Sequence, residues 1–125
     1  HKLPNILEKN DIDLVLCGHD HIYSRTYSLK NNKKIKDFSI KKSIDSNENI
    51  EVIKNSKGIT YITGSSSTGS KFYKHTDKTK RYIKLKYDKE ESTYTMINVS
   101  ENNLIITTYK VDDNEIIDNK IIIET

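Results

Sequence analysis

Gly18-His19-Asp20-His21 is the stretch whose residue types and spacing could do chemistry. On an extended strand, two imidazoles one residue apart point the same way, because side chains alternate with period two. In a tight loop they can instead fan toward two metal ions. Imidazole is a borderline donor that suits Zn, Fe, Mn or Ni. Gly18 lets the backbone turn sharply there, or come close to a ligand where a Cβ would obstruct it. A bare His-x-His is a weak signal, since it also occurs as a pair of solvated loop histidines. Its context decides.

The context begins with the elements that must position the pair. Leu3, Ile6 and Leu7 fall at the spacing of one helix face, Pro4 suits a first turn, and Asn10 suits a stop. A short helix is predicted over residues 3–10. Ile12 to Cys17 is apolar except for Asp13, the pattern of a strand buried on both faces in a parallel sheet. Helix then buried strand is half of a βαβ unit. In open α/β sheets, ligands lie outside the carboxyl ends of the strands, which is where the histidines follow.

The rest of the chain reads as mostly antiparallel. Residues 30–57 are rich in lysine, with Asn31-Asn32 and Ser46-Asn47 as turn signals, and predict a surface excursion with a short hairpin. Strands are predicted over 59–63, 82–87, 93–99, 104–111, 115–117 and 120–124 from β-branched content and alternation. The turns between the later ones, at 101–103 and 112–114, make a meander.

A chain of 125 residues suffices for one core. The net charge of +3 is too small, and the basic residues too dispersed, for a nucleic-acid footprint, so no nucleic acid is expected as a partner. The single cysteine, Cys17, excludes an internal disulfide and reads as buried filler. No apolar run approaches the roughly 18 residues of a membrane span. No targeting segment is visible, and the start at His1 reads as a fragment.

The flanks of the histidine pair make the signal specific. Asp13-Leu14-Val15-Leu16-Cys17-Gly18-His19-Asp20-His21-Ile22-Tyr23-Ser24-Arg25-Thr26-Tyr27 resembles the last signature block of the calcineurin-like metallophosphoesterases. Within them it is most similar to the purple acid phosphatases and their bacterial relatives. Gly58 to Tyr73 resembles the strand and small-residue loop that follow in bacterial members, and Ser92 onward resembles the family's C-terminal antiparallel section. Residues 30–57 match least.

The resemblance implies an α/β fold: the C-terminal part of a four-layer α/β/β/α sandwich over residues 1–125. One helix and a buried strand would be followed by a mainly antiparallel sheet. It implies phosphoester hydrolysis at a binuclear centre, Fe with Zn, Mn or Fe, on an extracellular or cell-surface protein. His19 would bind the divalent ion and His21 the other. Two ions activate water and clamp the attacking and leaving oxygens. The family's other ligand blocks, an Asp-x-His, a Gly-Asp, a Gly-Asn-His and a further histidine, do not occur in this sequence, so the chain alone is expected to be inactive.

Other residues draw lesser roles. Asp20 can accept a hydrogen bond from a ligating imidazole or brace the turn, and turn chemistry is favoured. Tyr23 is expected to pack under the loop, and Arg25 to hold a carboxylate or carbonyl in preference to phosphate. The small-residue loop Gly64–Ser70 lacks the lysine and spacing of a P-loop and reads as plain loop ahead of an anion cradle. His1 lies too close to His19 for the family's further histidine and reads as a helix surface residue. His75 sits in a solvated segment. The lysines of 30–57 read as a solvated face ahead of a steering field for anions. Asn98-Val99-Ser100 fits a glycosylation sequon on a predicted strand, a weak signal. The alternative to an enzyme is a non-catalytic β-rich interaction module that keeps the pair as a remnant. Cupin and amidohydrolase metal folds suit the antiparallel remainder poorly.

Overall fold

In the computed structural model, residues 2–18, 22–31, 33–35, 38–42, 49–54, 58–64, 83–87 and 91–125 are described. Their order is α1 (Lys2–Lys9), β1 (Leu14–Cys17), β2 (Tyr23–Thr26), β3 (Ser28–Lys30), β4 (Lys33–Ile35), β5 (Phe38–Lys42), β6 (Asn49–Lys54), β7 (Thr60–Thr63), β8 (Ile83–Tyr87), β9 (Thr93–Val99), β10 (Asn103–Lys110) and β11 (Lys120–Glu124). Helix α1 stops where expected. Asn10 Nδ2 donates back to the Ile6 carbonyl at 2.7 Å, and Asp11 takes a left-handed φ of 53°. That reversal delivers the chain to β1.

Among the described residues the strands form three sheets. The first runs β1-β7-β2-β8, the second β5-β6-β11-β10-β9, and β3-β4 is a separate hairpin. One hydrophobic core joins the first two: Tyr23 and Ile62 from the first sheet, and Ile53, Ile106, Ile121 and Ile123 from the second. The architecture among the described residues is therefore two facing β-sheets with one short helix. This overturns the expected α/β sandwich with helix layers. The physical reason lies between β1 and β7, which pair in parallel from Leu14↔Thr60 to Cys17↔Thr63. The connection between them runs through strands β2 to β6, and the one helix among the described residues precedes β1, so no helix layer among them covers the sheets.

Two further expectations change with it. Among the described residues β1 is an edge strand with a partner on one side only, and it is not buried on both faces: Leu16 is 59% exposed and Cys17 is exposed. Cys17 is not core filler. The stretch 30–57 is more than a surface excursion, because β5 and β6 pair antiparallel and β6 continues in parallel onto β11. Glu51, Val52 and Ile53 of β6 are buried. The meander β9-β10-β11 pairs as the alternation predicts, with Ile106 opposite both Ile97 and Ile121. The expected strand over 115–117 reduces to a bridge between Tyr109 and Ile116.

Glycine 58 shows how closely the hairpin β3-β4 packs on this frame. A Cβ there would lie 2.9 Å from Ile35 Cδ1 and 3.0 Å from the Leu29 carbonyl oxygen, and the backbone half cannot give way. Leu29 and Ile59 exchange both backbone hydrogen bonds at that point, at 3.0 and 2.9 Å.

Candidate functional site

Three chain segments meet at one end of the first sheet. Because β1 and β7 are parallel, their carboxyl ends lie side by side, with Cys17 opposite Thr63. The pairing carries one step further, as the Gly64 amide donates to the Cys17 carbonyl at 3.0 Å. Strand β2 runs antiparallel to β7 with Ser24 opposite Thr63, so its first residues start from the same end. The chain thus leaves the sheet at Gly18 and returns at Ile22, beside the point where it leaves again at Gly64. His19, Asp20 and His21 come between Gly18 and Ile22 in the sequence and lie outside the described residues, as do His1, His75 and residues 65–70.

Among the described residues nothing comes within 4 Å of a Cβ added at Gly18, and its φ is not in the left-handed region. The turn expected after it falls on residues 19–21, which lie outside the described residues.

What is built with care is the footing of β2. Tyr23 and Arg25, two apart on one strand face, are 0% and 1% exposed. The Tyr23 hydroxyl donates to Asp118 Oδ2 at 2.6 Å. Arg25 Nε and Nη2 donate to the two Asp118 oxygens at 2.7 and 2.9 Å, a bidentate fork. Its Nη1 and Nη2 donate to Glu51 at 2.8 and 3.3 Å. The Asn119 amide closes the set by donating to Asp118 Oδ1 at 2.7 Å. Lys84 Nζ of β8 stands 2.7 Å from Glu51 Oε1, off the axis of a hydrogen bond, and 3.2 Å from the centre of the Phe38 ring. Its attraction to Glu51 is therefore one of charge, reinforced by the ring face.

Two cations thus balance two anions inside the protein. Burial works against the Arg25 charge, but the hydrogen bonds and charges of Asp118 and Glu51 outweigh it and hold its pKa above the ordinary value. Burial, then the charge and hydrogen bond of Asp118, push the Tyr23 phenol up. Burial pushes the Lys84 ammonium down, against the attraction of Glu51. With all three nitrogens on carboxylates, Arg25 is not placed to meet a phosphate.

Glu51 and Asp118 escaped the sequence reading. The available signal was a single acid inside each of two apolar runs, Ile50-Glu51-Val52-Ile53 and Ile116-Ile117-Asp118. Such an acid needs a buried cation.

A metal would have to find its donors elsewhere. Among the described residues no group of three or more His, Cys, Asp or Glu comes together. The buried carboxylates near the site are occupied by Arg25 and Lys84. The expected ligands His19 and His21 lie outside the described residues, and two imidazoles are fewer than the roughly four donors of a closed site.

No protein-family model matches the chain, and no curated protein does. Among solved structures it is similar to the purple acid phosphatase PPD1 isolated from yellow lupin (Lupinus luteus) seeds, with a TM-score of 0.71 and 16% identity. The likeness covers 99% of this chain and 19% of that one, so the chain spans about a fifth of the neighbour's length. At that identity the likeness shows a shared fold. No helix among the described residues is long and apolar enough to cross a membrane.

Proposed function

We propose that this chain forms part of a phosphoester hydrolase with a binuclear metal centre, and that His19 and His21 are two of its ligands. The observation that carries the reading is the convergence at the sheet end. The only His-x-His of the chain follows the carboxyl end of β1, beside the carboxyl end of its parallel partner β7, in a fold shared with a purple acid phosphatase. The ions would be iron with zinc, manganese or a second iron, the substrate a phosphomonoester or diester, and the location extracellular or cell-surface. When bound, such ions would supply Lewis acidity and an activated water. The chain's own part is to hold the two imidazoles at fixed spacing beside Gly18, whose missing side chain leaves room for the group they bind. Two ligands do not make the whole centre, so the 125 residues alone should not turn over phosphoesters.

Calorimetric titration with Zn²⁺ tests the reading. The chain should bind zinc, and the double variant His19→Ala, His21→Ala should lose that binding while keeping its thermal transition. Equal binding by both would defeat the ligand assignment. Absence of binding in both, with a protein partner captured equally by both, would support the interaction-module alternative.

A further inference from the structure

Strand β2 begins at Tyr23, with only Ile22 between it and His21. What fixes β2 therefore fixes where the histidine segment rejoins the fold. On the other side, β1 pairs only with β7 among the described residues and leaves Leu16 and Cys17 exposed. β2 is held twice: by ladders to β7 and β8, and by the hydrogen bonds from Tyr23 and Arg25 to carboxylates that belong to the opposite sheet. Glu51 lies in the middle of β6, and Asp118 stands two residues before β11. The ladder between β2 and β8 shifts register between Arg25 and Thr26, and the forked hydrogen bonds of Arg25 to the opposite sheet are made at that irregularity.

We propose that Glu51 and Asp118 are positioning residues for the His19–His21 segment, acting through Arg25 and Tyr23; the proposal rests on the metal-ligand reading above. The chemistry explains why charge is used. Apolar burial is non-directional and tolerates a strand sliding by a fraction of a residue. A guanidinium forked onto two carboxylates does not, because each N–H must meet its oxygen along a defined line. A buried ion network is a poor source of stability compared with apolar residues of the same volume. Its presence here is best accounted for by the geometry that it imposes. The cluster stands apart from the metal: its carboxylates are committed to Arg25 and Lys84 and are not ligands.

The test uses the 125-residue chain with ¹⁵N-labelled histidine, titrated with Co²⁺ and followed through its imidazole signals. The variant Arg25→Met, Glu51→Leu, Lys84→Met, Asp118→Leu replaces the charges by apolar groups. It should keep a cooperative thermal transition, and the Co²⁺ midpoint read at His19 and His21 should rise about tenfold, the size seen when groups that orient metal ligands are removed. A folded variant with an unchanged midpoint would overturn the proposal and leave the cluster a purely structural one. Should that variant not fold, Tyr23→Phe takes its place. It removes one bond from β2 to Asp118, and a midpoint raised about twofold to fivefold supports the proposal, as a fraction of the full effect; an unchanged one overturns it. If His19→Ala, His21→Ala leaves the Co²⁺ response of the chain unaltered, the metal-ligand reading has failed, and this proposal with it.

Discussion

The two strands that flank the histidine pair invert the usual relation between polarity and burial. Leu14-Val15-Leu16-Cys17 is apolar and half-exposed, whereas Tyr23-Ser24-Arg25-Thr26 is polar and the more buried of the two. The difference is one of position in the sheet. β1 is at the edge with one ladder, and β2 is inside with two. An inside strand facing a second sheet must satisfy every polar group it buries, and Arg25 does so with Glu51 and Asp118. The lesson is that side-chain type tells what a strand can tolerate, while its neighbours decide what it meets. Among the described residues, the strand after the histidine segment is thus held by two ladders and an ion-pair cluster, and the strand before it by one ladder.

The contrast can be broken by substitution. Arg25→Ala should have the largest effect. It strands two buried carboxylates, and truncating one partner of a buried charge pair costs about 3–5 kcal/mol. Urea denaturation should show the loss, and a cost within 1 kcal/mol would mean that water reaches the cluster. Next comes Tyr23→Phe, which leaves the ring in the core and removes one bond to a carboxylate, for about 2 kcal/mol. Leu16→Ala, on the apolar but exposed strand, should cost about 0.5 kcal/mol or less by the same method. If Leu16→Ala proved costlier than Tyr23→Phe, the reading of β1 as an open edge would be wrong.

The smallest effect belongs to charges outside the core. Lys110 Nζ lies 3.1 Å from Asp113 and 3.0 Å from Glu115, and the Glu115 amide donates to Asp113 Oδ1 at 3.0 Å. That backbone hydrogen bond, with Lys110 beside it, holds the Asp113 carboxyl below its ordinary 3.8. A carboxyl whose folded pKa is depressed contributes stability above its unfolded value and loses it as pH falls through the folded one. Thermal melts from pH 5 down to pH 2 should therefore show a slightly shallower fall for Asp113→Asn than for the parent chain. An unchanged or steeper fall would remove Asp113 from the acid response.

How far the sequence foretold this molecule can be judged from particular residues. Strand β9 ends at Thr93 and Val99 as the alternation predicts, because a half-buried antiparallel strand writes its own period into the chain. The burial of β1 was misjudged, because a run such as Leu14-Val15-Leu16 looks the same at an edge as in the middle of a sheet. Strand β2 was hidden for the opposite reason: four polar-looking residues carry no apolar period. The partners of Arg25 could not be assigned in advance, since Glu51 lies 26 and Asp118 93 positions away. Only the fold brings them together. The histidine pair could be proposed from the sequence because its chemistry is local, four consecutive residues after a strand.

The account turns on whether His19 and His21 hold metal. X-ray absorption at the zinc edge on the Zn²⁺-loaded chain addresses this most directly. The account predicts nitrogen neighbours at about 2.0–2.1 Å with the outer-shell pattern of imidazole, lost in His19→Ala, His21→Ala. A spectrum of zinc surrounded by water alone, or an imidazole pattern that survives the double substitution, would contradict it.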